Sequence, residues 1–334
     1  FGMIIAGAVF RAFANDVIPP ELLGRFFGFF RIVSLAAGVI FSYWLLGWSE
    51  THSIWLFLGV AVLYGIGMMI LCFGIKEGSY PPPPAELPGS PGGRRIEAVR
   101  GYFKECFSHP FYLLVFCGLV MLGLCFMPVN TYLVFYAKSL HLPLSVYGKY
   151  ISYSFVGSAI LAVPIGVLAD RFHPLRISLL ALAGYLIAMV MGFCFISGSG
   201  LLWASRQWIA LMHLFGLQLQ YDPAVAQEAA FAIVLISHCI VSGAWGTATA
   251  SLSMRLLPRD RYAQFNSAEG MIATLVNVPL IPCFGWIMDL TGNDYRYLFI
   301  IGGVLAAIGI VFNIWICLAM RGYGGIDHYR APAV

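Results

Sequence analysis

The chain has 334 residues, of which 60% are hydrophobic and only 10% charged, and its formal net charge is +4. Soluble domains carry about 25% charged residues, and a folded globule needs a wettable surface that this composition cannot supply. A net charge this small leaves no footprint for nucleic acid, so the bilayer is the solvent that suits the chain.

Runs without Asp, Glu, Lys or Arg cover 51–75, 106–137, 177–205, 229–254 and 297–320. Each exceeds the roughly 20 residues that cross a hydrocarbon core. Only helices and closed barrels satisfy the backbone in lipid, and these runs lack the alternation of barrel strands. The sequence predicts an all-α integral membrane protein with nine transmembrane helices, over 1–15, 21–48, 53–75, 109–138, 145–169, 174–197, 229–255, 264–290 and 296–320. The chain opens at Phe1 inside an apolar segment, with no starting Met, basic n-region or cleavage site, which reads as a fragment rather than a signal peptide.

Between the third and fourth helices, the hydrophilic stretch 76–109 holds Pro81, Pro82, Pro83, Pro84, Pro88 and Pro91, then Gly92, Gly93, Arg94 and Arg95. A Pro run favours extended backbone and forbids helix, which marks a linker between two bundles. After the sixth helix, residues 201–217 mix Trp203, Arg206, Trp208 and His213 with leucines. That pattern suits a helix lying in the interface; the alternative is a tenth crossing, with both chain ends on one side. The 8 cysteines are scattered and form no CxxC pair, so neither a metal site nor a disulfide framework is indicated.

Nine crossings leave only Lys138, Lys149, Arg206 and Arg296 of the 19 Lys and Arg residues on one side, and fifteen on the other. Positive charge accumulates in cytoplasmic loops, so the linker and the C-terminus are expected in the cytoplasm, with the protein in an inner or plasma membrane. The turn Pro19-Pro20-Glu21-Leu22-Leu23-Gly24-Arg25-Phe26 also aligns with Pro258-Arg259-Asp260-Arg261-Tyr262-Ala263-Gln264-Phe265 at one offset. Parallel repeats of this kind occur in transporters.

The sharpest signal follows the fifth helix: Gly166-Val167-Leu168-Ala169-Asp170-Arg171-Phe172-His173-Pro174-Leu175-Arg176. It resembles the G-x-L-a-D-R signature of the major facilitator superfamily, departing from it at His173, where Gly is usual, and at Pro174, where a basic residue is usual. The resemblance implies bundles of that family's type, with nine helices of an expected twelve, corresponding to family helices 4–12. It divides the chain into 1–76, the remainder of an N-terminal bundle; 77–108, a cytoplasmic linker; 109–321, a C-terminal six-helix bundle; and 322–334, a cytoplasmic tail. A cytoplasmic gate is expected at the signature. There Gly166 permits close helix approach and Asp170 meets the positive N-terminal end of a neighbouring helix. Arg171 and Arg176 pair with carboxylates such as Asp260 or Glu269, and Arg25, in a turn similar to the family's loop after helix 4, is counted with the gate.

Transporter sites lie near the midplane, and intramembrane ionisable groups are candidates by default. Arg31, roughly 15 Å into its helix at the standard rise, contacts substrate, pairs with an acid on helices upstream, or snorkels to the interface. His238 shares a face with Ser242 and Trp245 and is either a coupling and binding group or a satisfied core histidine. Asn130 and Tyr132 follow Pro128, which can kink their helix and expose carbonyls. Asn277 lies beside Pro279, and Glu269 is better read as a structural ion pair at the gate than as a substrate ligand.

The expected function is secondary active transport of a small polar organic solute, a sugar being favoured, by alternating access and driven by a proton or sodium gradient. The alternatives are drug or metabolite efflux on the same fold, and a non-transporting receptor or assembly protein. No nucleophile, base and orienting acid cluster recognisably, and no GxxxxGK[ST] phosphate loop occurs. No enzyme activity, catalytic residue, metal or cofactor is therefore expected. The expected partners are the solute, a coupling ion and the lipid bilayer.

Overall fold

The computed structural model describes residues 7, 10, 18–74, 91–196, 200, 202, 203, 205–207, 209 and 222–332. All regular structure among them is helical: α1 (Leu23–Ile40), α2 (Ser53–Gly74), α3 (Pro91–Phe107), α4 (Pro110–Leu124), α5 (Met127–Ser139), α6 (Leu144–Phe172), α7 (Pro174–Ile196), α8 (Pro223–Thr249), α9 (Leu252–Leu256), α10 (Tyr262–Leu290) and α11 (Tyr297–Ala319). Short turns of tighter or wider helix prolong α1 as far as Glu50. Eight spans among the described residues are long and apolar enough to cross a membrane, and they coincide with eight of the nine expected crossings. The crossing over 1–15, the Pro run of the linker and most of the interfacial segment 201–217 lie outside the described residues.

The surface confirms the solvent. No described side chain of α2 is buried, and Ile54, Phe57 and Phe73 are 78%, 77% and 88% exposed. Water would charge about 25 cal/mol per Å² for such a face, whereas hydrocarbon costs it nothing. Lipid gives no hydrophobic drive for helix association, so close packing of small residues and interhelical hydrogen bonds must supply it. Both are present. The α1 helix runs antiparallel to α6 along a seam in which Gly24 faces Gly166, Gly28 faces Ala162, and the Ser42 carbonyl abuts Gly148. From α6 the packing continues to α8, then α7, α11 and α4. Between α7 and α11, fully buried Asn313 donates to Ser178 Oγ at 2.5 Å and to the Leu175 carbonyl at 3.2 Å.

Pro128 does more than kink its helix. It stands in the first turn of α5, and the span is broken there between Leu124 and Met127. The carbonyl of Cys125, inside the break, is met by the Tyr185 hydroxyl at 3.5 Å. Pro164, Pro279 and Pro282, by contrast, stay inside continuous helices.

The two aligned turns fold alike. Pro19 and Pro258 are both extended, at φ −58°, ψ 138° and φ −63°, ψ 126°. Each accepts a backbone hydrogen bond from the residue three further on, Leu22 at 3.0 Å and Arg261 at 3.3 Å, and each leads through a single 3₁₀ turn into a long helix. The second half of the hydrophilic stretch forms α3, an element that the sequence analysis does not anticipate. Its docking explains it: Tyr102 Oη lies 2.8 Å from Ser267 Oγ, and Glu105 accepts from Gln264 Nε2 at 2.8 Å and pairs with Arg261 at 3.4 Å. The residues after α11 fold back under the same end of the bundle. There Tyr329 donates to the Leu256 carbonyl, Tyr112 donates to that of Pro332, and Asp327 pairs with Arg176.

Candidate functional site

One end of the α1–α6 seam is fastened by the Asp170 carboxylate. Asp170 stands in the last turn of α6 with its side chain only 9% exposed. It accepts from the backbone N–H of Gly24 and of Arg25, both at 3.0 Å, and from Arg255 Nη2 at 2.6 Å. Gly24 and Arg25 lie in the first turn of α1, where backbone donors have no intrahelical partner and the helix dipole favours an anion. A carboxylate 146 positions away in sequence therefore caps α1. The approach requires two glycines. A Cβ on Gly24 would lie 2.5 Å from Asp170 Oδ1 and 2.7 Å from the Gly166 carbonyl, and one on Gly166 would lie 2.6 Å from the Gly24 carbonyl.

The chain then reverses at His173, whose φ of 73° and ψ of 134° suit glycine far better than a side-chain-bearing residue. That conformation accounts for the residue type usual in the signature. Here the imidazole compensates by capping α7, its Nδ1 lying 3.3 Å from the Leu175 N–H. Burial, reinforced by Arg255 and Arg176, holds its pKa down at about 4.

Other gate residues behave differently from expectation. Arg25 contributes its backbone N–H, while its side chain is exposed. Neither Arg171 nor Arg176 reaches Asp260 or Glu269. Arg176 is in the first turn of α7 and is aimed at the folded-back tail, where it meets Asp327 at 3.1 Å. The Arg171 guanidinium lies over the Phe172 ring, 5.3 Å from its centroid. Asp260 is 3.9 Å from Arg261 within its own turn. The cation that does meet Asp170 is Arg255, three residues ahead of the repeated Pro258 turn.

Deeper in the bundle the structure joins three helices through a polar chain. Tyr185 on α7 donates to His238 Nδ1 at 2.9 Å, and His238 Nε2 donates to Asn130 Oδ1 at 2.9 Å. Since an amide oxygen only accepts, the partners fix both the tautomer and the direction of the chain. His238 is 1% exposed and satisfied at both nitrogens, so it is a core histidine holding α5, α7 and α8 together. Asn130 itself is exposed, and its amide nitrogen remains uncommitted. Tyr185 was not singled out from sequence, because one tyrosine in an apolar run carries no pattern.

Trp245 packs against Phe126, with ring centroids 4.9 Å apart, and its buried Nε1 has no hydrogen-bond partner. With Glu269, Thr249 and Ser253 it lines a cavity of ≈ 280 Å³. Glu269 thus faces a cavity between helices and does not join Asp170. Tyr132 donates to the Ile281 carbonyl at 2.8 Å, tying α5 to α10. Asn277 is part-buried in the middle of α10, two residues before Pro279, with no side-chain hydrogen bond among the described residues. Arg31 faces α6 and α8, with its Nη2 3.9 Å from the position a Cβ on Gly243 would take. Of the thirteen candidates, Gly166, Asp170 and the backbone of Arg25 form the latch, Arg171, Arg176 and Asp260 lie outside it near the same end, and the remaining seven occupy positions along the helices, with Asn130 and His238 joined. No group of three or more His, Cys, Asp or Glu that could hold a metal is found among the described residues.

The sequence agrees with this geometry. No curated protein matches the chain. Residues 1–219 match the family model of the Major Facilitator Superfamily, a stretch that includes α1, the signature turn and Asp170 but not Arg255. With most of its length matched, and with eight apolar spans packed as described, the chain belongs to the Major Facilitator Superfamily and is a multi-pass membrane transporter of that superfamily.

Proposed function

We propose that the protein is a secondary carrier of a small polar organic solute, working by alternating access between two units, residues 1–76 and 109–321, joined by the linker 77–108. One observation carries this reading. The Asp170 carboxylate belongs to the second unit, yet it caps the first turn of α1 in the first unit and is countered by Arg255. Such a fastening closes one end of the interface without covalent or packing permanence, as a gate must. The excess of basic residues supports a cytoplasmic position for that end, and a proton or sodium gradient is the proposed driving force.

Exchange of radiolabelled solutes by the full-length protein in proteoliposomes tests the proposal. Exchange of at least one solute, slowed by Asp170→Asn, is expected. Folded protein that moves nothing across a broad solute panel refutes the carrier and leaves a receptor or assembly role.

A further inference from the structure

We propose that the transported solute bears an anionic group, a carboxylate or its equivalent, and that Arg31 is its counter-ion; this rests on the carrier reading above. The Arg31 side chain enters the junction of α1, α6 and α8. Its Nη2 is 3.9 Å from the position a Cβ on Gly243 of α8 would take, and that same position is 2.7 Å from Ser158 Oγ of α6. Ser158 is twelve residues from Asp170 along α6, about 18 Å at the helical rise, which is past the middle of a hydrocarbon core about 30 Å thick. The Arg31 Nε is fully shielded and has no hydrogen-bond partner. Among the described residues the ion pairs belong to Arg176, Arg255, Arg261 and Arg296, and none to Arg31.

Arginine does not shed its proton in proteins, so the charge at this depth is permanent and costs several kcal/mol unless an anion meets it. A carboxylate or phosphate answers the planar fork with two parallel charge-assisted hydrogen bonds. Glycine at 243 lets α6 approach α8 closely beside the fork, since a Cβ there would lie 2.7 Å from Ser158 Oγ. Other uncommitted polar groups of the interior have the same polarity. Trp245 Nε1, two residues beyond Gly243 on α8, is a buried donor with no partner, and Asn130 spends its oxygen on His238 and so presents its N–H₂. A solute suited to these groups is rich in acceptors. The position also favours transport, because α1 comes from one proposed unit and α6 and α8 from the other. An anion held there touches both moving parts.

Glucuronate and glucose make a matched pair of probes, since a carboxylate replaces a hydroxymethyl group. Benzoate and tetraethylammonium extend the panel to an unrelated anion and a cation. Full-length protein is reconstituted and assayed for binding, by thermal shift in detergent, and for uptake. The wild type is expected to take glucuronate or benzoate in preference to glucose and tetraethylammonium. Arg31→Gln should weaken anion binding at least thirtyfold, Arg31→Lys should weaken it less, and Arg321→Gln, far from the junction, should leave it unchanged. Uptake of glucose or tetraethylammonium that Arg31→Gln leaves intact overturns the inference and keeps the carrier. Anion binding that requires Arg31 but leads to no uptake supports the inference and overturns the carrier. Folded protein that neither binds nor moves any probe sinks both.

Discussion

Replacing Asp170 by Asn tests the latch directly. The amide keeps one oxygen, so one of the two α1 N–H groups retains its acceptor, while the other meets an N–H₂ and Arg255 loses its counter-charge. A charge-assisted hydrogen bond contributes about 1.5–3 kcal/mol, and an anion at a helix N-terminus about 0.3–1 kcal/mol more. Arg255 has only 21% of its side chain exposed, so water replaces the lost partner poorly. The sum, about 2–4 kcal/mol, should move the closed-to-open equilibrium by about 30- to 700-fold, at 1.4 kcal/mol per factor of ten. Spin labels at Glu21 and Leu168, both exposed beside the latch, should report a longer and broader distance in the variant. Solute exchange should slow more than binding weakens. Arg255→Gln should produce part of the same effect, and the double variant should add little to Asp170→Asn, because both act through one pair. An unchanged label distance together with unchanged exchange would refute the reasoning.

Gly166→Val places a Cβ 2.6 Å from a backbone carbonyl that cannot step aside; overpacking of this kind costs about 1–3 kcal/mol, and a lower melting temperature in detergent with loss of the short label distance is expected. His173 has a folded pKa of about 4 against 6.5 for a free imidazole. As pH falls from 6.5 to 4 the unfolded chain takes up a proton that the folded one refuses, so stability present above that window is lost within it, by up to about 3 kcal/mol. Melting curves across that range should show the loss, and His173→Gly, which also suits the positive φ, should flatten it. Asn313→Leu removes the two hydrogen bonds donated by the amide nitrogen and a weak one accepted from Cys317 Sγ at 3.6 Å, but leaves Ser178 with the Leu175 carbonyl at 3.0 Å. A penalty near 1 kcal/mol is expected, within the 0.6–1.7 kcal/mol typical of such bonds in membranes, and a chemical denaturation midpoint shifted by much more would contradict it.

What could be read from sequence depended on the range of the forces involved. Eight spans were legible because lipid selects for length and absence of charge, both local properties. The Asp170 contact with a helix N-terminus was legible through the resemblance of its turn to the G-x-L-a-D-R signature, where a carboxylate can meet the positive end of a neighbouring helix. Its cation was not: Arg171 and Arg176 sit nearest in sequence, but the reversal at His173 turns Arg176 towards Asp327. Arg255 arrives from 85 residues away. The helix α3 escaped because its first residues read as Pro and Gly, and its docking through Tyr102 and Glu105 depends on Ser267 and Arg261 from a distant turn. Asn130 and His238 were both named, each for a separate reason. That they hold each other, with Tyr185 behind them, follows from the way α5, α7 and α8 pack, which no local pattern encodes.

The two ends of the α1–α6 seam are closed by different physics, and the difference sets which end yields first. At the Asp170 end a carboxylate with two backbone donors and an arginine adds charge to close glycine packing. At the far end Ser42 abuts Gly148, a Cβ on Gly47 would lie 3.3 Å from Ser145, and Ser152 Oγ reaches the Val39 carbonyl at only 3.4 Å. Among the described residues no ion pair crosses the seam there. Packing contacts between small residues are readily replaced by lipid or water, whereas separating a shielded ion pair exposes both charges at a cost of several kcal/mol. The unliganded protein should therefore open at the far end by preference. Labels at Tyr43 and Lys149 should be mobile while those at Glu21 and Leu168 stay close, and the reverse ranking would show that the carboxylate is not what holds the seam.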